Sequence, residues 1–299
     1  MKRLILSVLC IAMLAATAHA ATNIRIPTDQ ANLNLAVAAA NDGDTITFTD
    51  SATYVGNFKI TKPNLTIIAA PGQKPTIQSG SGGTTPTLLF DTDSGGTKFG
   101  SLTGGRIRVN FVKPSVNTAT VPTGFVKFGQ STDSLVTMEN VLIDESGPTD
   151  GSGYGVNAIA HDINNHNQVV LRYVDINTSH SITGAATTNG IIIGNPAPAL
   201  NTGYPSYLYN SRGGPTYTMD HVKVKYYCVA GIMQVMTSTT LNMSYCDVGV
   251  LGDSGREPGN TSRPWGSFNQ NGVSNASSTI RMDHCIWRGS RAGNNFQVD

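Results

Sequence analysis

The sequence predicts an all-β fold in one domain: a right-handed, three-sheet parallel β-helix (a solenoid) with an N-terminal capping helix. Three observations support this fold class. An eight-residue pattern recurs five times along the 299 residues, and short strands opened by glycine follow most copies. Charged residues make up only 13% of the chain, which also has 32 glycines. This composition is typical of many short strands joined by tight turns.

The first twenty residues are typical of an export signal. A basic start at Lys2 and Arg3 precedes an apolar stretch, and Ala18-His19-Ala20 has the small-x-small form of a cleavage site. We therefore expect residues 1–20 to be a signal peptide and residues 21–299 to form a secreted or periplasmic β-helix. The apolar stretch is too short to span a bilayer comfortably and no later segment is apolar for eighteen residues, so we expect no membrane anchor.

Charge and cysteine content argue against several classes of partner. Removal of the signal peptide takes away two positive charges, so the formal net charge falls from +1 to −1, with 18 Lys and Arg against 19 Asp and Glu. A chain of that charge has no basic footprint for nucleic acid. Three irregularly spaced cysteines remain, Cys228, Cys246 and Cys285, and they indicate neither a disulfide scaffold nor a zinc site.

The repeated pattern reads apolar, any, apolar, any, then Asn, Tyr or His, then Val or Cys, any, apolar. Each copy predicts two short strands with alternating side chains, separated by one residue at which the chain bends. Asn suits such a bend because it tolerates left-handed backbone angles, and we expect the bend residues to stack as a structural ladder. The copies are residues 136–143, 169–176, 217–224, 241–248 and 280–287, with bends at Asn140, Tyr173, His221, Tyr245 and His284.

A third strand, usually opened by glycine, is predicted after each copy. Three short strands per coil, repeated along an axis, are the signature of a three-sheet solenoid. The copies start 33, 48, 24 and 39 residues apart, so a coil of 24 residues is the base and the excess is loop. The glycines are Gly155, Gly190, Gly231 and Gly272, and the outward positions of their strands would be Asn157, Ile192, Met233 and Ser274.

The earlier third of the chain follows the pattern less closely. Strands are predicted at residues 58–60, 65–68, 88–90 and 106–109. Residues 32–41 predict an amphipathic helix with Leu33, Val37 and Ala40 on one face, which would cover the open end of the solenoid. An uncovered end exposes strand edges and an apolar stack that invite aggregation. The chain stops at Asp299 just after a strand, so we expect a further C-terminal region or a partner, such as a second copy, to cover the other end.

Two stretches resemble carbohydrate-active proteins. The segment Ala36-Val37-Ala38-Ala39-Ala40-Asn41-Asp42-Gly43-Asp44-Thr45-Ile46, followed by Ala52-Thr53-Tyr54 and Lys62-Pro63-Asn64-Leu65-Thr66-Ile67, resembles the opening of right-handed β-helix proteins of the pectate-lyase-like superfamily. Chondroitinase-like and alginate-lyase-like enzymes and pectin methylesterases begin in this style. Met282-Asp283-His284-Cys285 is similar to a strand-bend-strand stretch of pectate lyases.

The resemblance implies the fold and a protein whose partner is polysaccharide. In pectate lyases the calcium-binding aspartates lie chiefly on or next to the glycine-led strand, and the outward positions given above are not acidic here. The paired aspartates and Gly-His-Gly of polygalacturonases are also missing. Calcium is the one cofactor left open, and no metal ligands are assigned.

Two insertions predict a sugar-binding groove across the glycine-led sheet, since they should leave its opposite edges. Aromatic rings stack on the C–H surfaces of sugars while charged groups bind hydroxyls or carboxylates. Ordinary loop packing is the alternative interpretation. The substrate-binding candidates are Tyr204, Tyr207 and Tyr209 in residues 195–215, with Asp253 and Trp265 in residues 249–271.

The second insertion also suggests catalysis on an acidic glycan. Arginines beside a glutamate can neutralise a uronate and help to abstract the neighbouring proton, as β-elimination requires. A solvated network of salt bridges is the alternative, and so is a non-catalytic β-helix that binds carbohydrate or serves in adhesion or surface structure. The catalytic candidates of this lyase or hydrolase are Arg256, Glu257, Arg263, Arg288 and Arg291, with Lys225 one rung below as a second possible base.

Two further motifs receive structural interpretations. Asp220-His221 and Asp283-His284 look like acid–base pairs, but both histidines lie at the bend of the repeat, which favours a role in the ladder. Cys246 and Cys285 replace valine in the template and should stack in adjacent coils. We expect them to act as small hydrophobic residues, because parallel side-chain vectors make a disulfide awkward.

Overall fold

The structure is a computed structural model that describes residues 20–80, 85–112, 125–129, 131, 133–146, 157–161, 167–177, 189–193, 215–225, 230–234, 239–249, 266–270, 279–288 and 296–298. These residues form one α-helix and 23 β-strands. Every pair of neighbouring strands among them is parallel. No helix in the described part of the chain combines the length and the apolar character needed to cross a bilayer.

The strands, numbered in chain order, form a 15-stranded and an 8-stranded sheet. The main path of the larger sheet is β1 (Asn23–Ile26), β2 (Thr45–Phe48), β5 (Thr66–Ala69), β8 (Lys98–Gly100), β11 (Leu135–Ser146), β13 (Gln168–Asn177), β15 (Thr216–Asp220), β18 (Thr240–Ser244) and β21 (Thr279–Asp283). Its side path contains β3 (Thr53–Val55), β6 (Thr76–Gln78), β9 (Ile107–Val112), the C-terminal halves of β11 and β13, β16 (Lys223–Lys225), β19 (Asp247–Gly249) and β22 (Ile286–Arg288). The smaller sheet contains β4 (Phe58–Ile60), β7 (Leu88–Phe90), β10 (Val126–Phe128), β12 (Asn157–His161), β14 (Asn189–Ile193), β17 (Ala230–Gln234), β20 (Gly266–Gln270) and β23 (Phe296–Val298).

The chain passes through these paths in a fixed rotation. From β2 onward it runs from a strand of the main path to one of the side path, then to one of the smaller sheet, and then back to the main path. We call one such passage a round. Each strand pairs with its counterpart in the next round. Equivalent residues of neighbouring rounds therefore point to the same face of the sheet. The structure is therefore mostly β, with large parallel sheets, as the sequence predicts.

The predicted repeat is confirmed in register. Val136 pairs with Val169, which pairs with Tyr217, and Tyr217 pairs with Leu241. Leu241 in turn pairs with Ile280, so all five copies align without offset. The bend residues all adopt left-handed backbone angles, with φ of 54° at Asn140, 53° at Tyr173, 54° at His221, 52° at Tyr245 and 51° at His284.

The predicted helix is also confirmed. Helix α1 spans Leu33–Ala39, and the side chain of Asn32 caps it by accepting a hydrogen bond from the backbone N–H of Leu35 at 3.1 Å. Its apolar face is buried in the core. The helix contacts β1 and β4, which are the terminal strands of their sheets, so it packs on the core at that end of the molecule.

The smaller sheet departs from the predicted register. Ala160, and not Asn157, pairs with Ile192, and the strand of the next-to-last round is β20, which lies before the predicted Gly272. Met233 therefore pairs with Asn269, and Ser274 lies outside the described residues. A run of alternating residues fixes the register of a strand, whereas a glycine marks only where a connection ends.

In the first rounds the short strands are only partly as expected. Residues 58–60 and 88–90 form strands with the predicted bounds, while β5 and β9 begin one residue later than predicted and run further. Strands β1, β2, β3, β6 and β8 carry no predicted counterpart. Three or four residues are too few to display a clear alternation.

A continuous apolar core runs through the rounds. Phe90 and Phe128 stack with ring centroids 5.1 Å apart, and Phe111 and Phe125 stack at 4.7 Å. All four side chains are fully buried. Cys246 is buried and Cys285 is partly buried, and both thiols are free, which agrees with the interpretation of small core residues.

One polar pair interrupts this core. His161 is buried, and its Nδ1 atom lies 3.0 Å from the hydroxyl of Tyr217, which is buried too. Nε2 of His161 has no hydrogen-bond partner among the described residues. Burial disfavours the charged imidazolium, so the pKa of His161 falls to about 3 and the ring is neutral at neutral pH.

Candidate functional site

Two of the predicted catalytic residues lie within the described strands. Lys225 ends β16 and Arg288 ends β22, although their side-chain positions are not described. The other predicted site residues lie outside the described residues. They are Arg256, Glu257, Arg263, Arg291, Tyr204, Tyr207, Tyr209, Asp253 and Trp265.

The backbone register brings Lys225 and Arg288 to one edge of the larger sheet. Lys225 pairs with Gly249, and Gly249 pairs with Arg288. The two basic residues are thus two strand spacings, about 10 Å, apart along the direction of stacking. Gly249 is also the last strand residue before residues 250–265, which include three of the catalytic candidates. We call this column of Lys225, Gly249 and Arg288 the basic edge.

The connections on either side of the smaller sheet leave it at opposite ends. Residues 194–214 follow the C-terminal end of β14, and residues 250–265 precede the N-terminal end of β20. In a parallel sheet those ends lie on opposite edges. The two connections thus leave opposite ends of the sheet as expected, but the second is shorter than predicted, because residues 266–270 of the expected insertion 249–271 form β20. The groove that the two insertions were expected to form stays a prediction.

A second feature is a row of stacked rings at the bend between the main and side paths. Tyr173 and His221 have ring centroids 4.4 Å apart, His221 and Tyr245 are 5.0 Å apart, and Tyr245 and His284 are again 5.0 Å apart. The ring planes deviate from parallel by only 11° to 21°. We call these four residues the ring column. The predicted ladder is confirmed there.

The ring column faces solvent. Tyr173 is 45% exposed and Tyr245 is 51% exposed, while the side chains of His221 and His284 are 40% and 66% exposed. Because the flat faces of the rings cover one another, what solvent meets is mainly their edges. The edges carry the phenolic hydroxyls and the outer nitrogens of the imidazoles.

Each histidine of the ring column is oriented by the preceding aspartate. Nδ1 of His221 lies 2.8 Å from Oδ1 of Asp220, and Nδ1 of His284 lies 2.7 Å from Oδ1 of Asp283. A carboxylate beside Nδ1 favours the tautomer with the proton on that nitrogen. In that tautomer Nε2 carries no proton and can accept a hydrogen bond.

Ion pairs cover the outer surface beside Tyr173, the first residue of the ring column. Glu139 is buried between Arg172 and Lys98, with both of its N···O distances at 3.0 Å. Arg106 pairs with Asp175 at 2.8 Å. These residues satisfy one another, and they leave little free charge in that part of the surface.

A further ion pair joins strands β9 and β11. Arg108 contacts both carboxylate oxygens of Asp144, through Nε at 2.9 and 3.0 Å. Burial raises the pKa of Asp144, and the nearby Arg108 opposes that rise. The pair is a structural contact, since both partners are occupied by each other.

The described residues contain no group of three or more His, Cys, Asp or Glu side chains that could hold a metal ion. The ladder at these bends was predicted from the sequence, but the exposure of its edges was not. The sequence feature that marks the ring column is the alternation of Tyr and His at successive bends, with Asp directly before each His. No protein-family model matches the chain, and no curated protein matches it.

Proposed function

We propose that the chain is a secreted or periplasmic right-handed parallel β-helix of the pectate-lyase-like type that cleaves an acidic polysaccharide at the basic edge. The rotation of the chain through parallel strands supports the solenoid, and crossover connections between parallel strands are right-handed in about 98% of cases. The observation that carries the activity is the shared register of Lys225 and Arg288 beside the start of residues 250–265.

The chemistry of β-elimination explains why basic residues would be needed there. A cation that binds a uronate carboxylate stabilises negative charge on the neighbouring carbon, which makes the proton on that carbon easier to remove. A base accepts the proton, the electron pair forms a carbon–carbon double bond, and the bond to the glycosidic oxygen breaks. The departing oxygen takes a proton from water or an acid. Arg288 suits the neutralising role, and Lys225 or Glu257 the role of base.

The test is the ultraviolet absorbance of the unsaturated uronate that elimination produces. The mature protein is incubated with a panel of uronate polysaccharides, with and without calcium, and reducing ends are measured in parallel to detect hydrolysis. We expect Arg288→Ala and Lys225→Ala each to lower the rate by about a hundredfold or more.

Arg281→Ala provides the matched control. Arg281 is an exposed arginine of the same round, but it lies on the main path, where its guanidinium contacts Asn242 at 3.3 Å. Its replacement should leave the rate unchanged. Product formation by the wild type that survives both Arg288→Ala and Lys225→Ala would refute the basic edge as the site.

The rival function is a non-catalytic β-helix that binds carbohydrate or serves in adhesion or surface structure. One observation favours it: the column of the smaller sheet that begins at Lys59 and contains Lys127 becomes uncharged from Ala160 onward, through Ile192, Met233, Asn269 and Gln297. If no polysaccharide of the panel yields unsaturated product or reducing ends, this second function replaces the first.

A further inference from the structure

We propose that the ring column of Tyr173, His221, Tyr245 and His284 is a binding surface for an uncharged polysaccharide that runs parallel to the stack. The surface is distinct from the basic edge. His221 lies at the bend and Lys225 ends β16 four positions later, so the two residues are up to about 13 Å apart. Binding at the ring column therefore does not depend on cleavage at that edge.

The hydrogen-bonding groups of the ring column alternate between phenol and imidazole along the stack. Hydroxyl groups of Tyr173 and Tyr245 alternate with Nε2 atoms of His221 and His284, and neighbouring rings are 4.4 to 5.0 Å apart. Each phenol can donate and accept a hydrogen bond, and an imidazole with its proton on Nδ1 accepts one at Nε2. Sugar hydroxyls both donate and accept, so they can satisfy every group in the row.

The spacing of the row selects the kind of polymer. A peptide in an extended conformation advances by about 3.3 Å per residue, which falls out of step with the rings after two residues. A hexose unit advances by about 5 Å along an extended glycan, because its ring spans several bonds of about 1.5 Å between the two linkages. Successive sugars can therefore meet successive rings.

The rings are also held in place before any ligand arrives. Stacking fixes the ring planes, the left-handed backbone fixes the bends, and Asp220 and Asp283 fix the imidazole orientations. Binding to a rigid surface loses little side-chain entropy. Tyr, in particular, presents a rigid amphipathic side chain of the kind that is enriched at binding surfaces.

The charged residues beside His221, Tyr245 and His284 favour a neutral ligand. The positions on one side are Asp220, Ser244 and Asp283, and those on the other side are Lys223, Asp247 and Ile286. Three carboxylates and one lysine occupy these positions, and Arg281 lies two positions before Asp283 on the same strand. The local charge is thus slightly negative and does not attract polyuronates or nucleic acids. Chemistry and charge thus point to hydroxyl groups without acidic substituents.

The test is affinity electrophoresis of the full chain in native gels that contain a soluble neutral glycan, with hydroxyethyl cellulose and a galactomannan as two probes and polygalacturonate as the acidic comparison. We expect retardation by at least one neutral glycan and weaker retardation by polygalacturonate.

The decisive variant is Tyr245→Asn. Asn140 already occupies this bend in the first copy with φ of 54°, so asparagine keeps the backbone while the ring is lost from the middle of the row. We expect at least a tenfold loss of affinity for the neutral glycan. Tyr245→Phe keeps the stack and removes one hydroxyl, so a smaller loss of about three- to tenfold should follow.

Lys59→Gln is the matched control, because Lys59 lies exposed on the smaller sheet, far from the bends. It should bind as the wild type does. The proposal is overturned if no neutral glycan retards the wild type, or if Tyr245→Asn with an unchanged circular dichroism spectrum binds normally. Sedimentation that shows self-association abolished by Tyr245→Asn, without glycan binding, would instead assign the surface to a second copy.

Discussion

Two sets of stacked rings follow the rounds of this chain, one inside the core and one on the surface. Phe90 and Phe128 stack at 5.1 Å with no exposed area, whereas Tyr245 stacks at 5.0 Å on both of its faces and stays 51% exposed. The geometry is nearly the same because parallel register imposes it in both places. The difference lies in the edges, which are covered by other side chains inside and face water outside. Register creates the stack, and burial decides whether the stack supports stability or offers a surface.

The largest expected effect is on the buried set. Phe128→Ala removes a ring that is packed on all sides, and we expect the free energy of unfolding to fall by about 3–5 kcal/mol. Urea denaturation followed by circular dichroism measures the change. Lys59→Ala, which removes an exposed ion pair with Asp91, should cost less than about 1 kcal/mol. Equal effects of the two substitutions would contradict the described core.

The next effect concerns His161, the titratable ring inside the core. Its pKa is about 3 in the folded state against 6.5 when exposed, so the unfolded chain binds more protons between those values. The stability that a neutral His161 contributes is complete above pH 6.5 and is lost as the pH falls towards 3. We expect a loss of about 2 kcal/mol between neutral pH and pH of about 5.

His161→Phe should remove that part of the pH dependence, which denaturation midpoints at several pH values will reveal. Tyr217→Phe keeps the titrating ring and removes only its hydroxyl partner, so the slope should persist. A slope unaffected by His161→Phe would assign the pH dependence to other groups.

The smallest effect is expected at the ring column. Tyr245→Ala loses two stacking contacts but little buried area, and we expect a cost of about 1–2 kcal/mol. Tyr245→Asn should cost less, because asparagine tolerates the left-handed angle at this bend better than alanine does. Thermal unfolding of both variants beside the wild type checks the order. If Tyr245→Ala destabilised the protein as much as Phe128→Ala does, the ring column would be part of the core in energetic terms.

The aligned copies could be predicted because the pattern that defines each one lies within eight consecutive residues. Alternating apolar residues define which face of each strand is buried, and the odd residue between two strands marks the bend. The amphipathic pattern from Leu33 to Ala40 located the helix for the same reason. These features depend on neighbours in the chain, which a single sequence displays directly.

The register of the smaller sheet could not be read in that way. Its strands follow connections of different lengths, so neither spacing nor a glycine shows that Ala160, and not Asn157, pairs with Ile192. The displacement of the predicted strand from Gly272 to β20 has the same origin. The ladder of bend residues was predictable, but the exposure of its edges was not, because exposure depends on how neighbouring rounds surround the corner.

The third and fourth copies begin 24 residues apart, at Tyr217 and Leu241, and this segment carries one complete set of strands. A tandem duplication of such a segment within the gene would insert one core layer and one bend residue together, already in step with their neighbours. The number of rings in the column would therefore change with the number of copies in the gene. Each new contact would repeat one that already exists between neighbouring rounds.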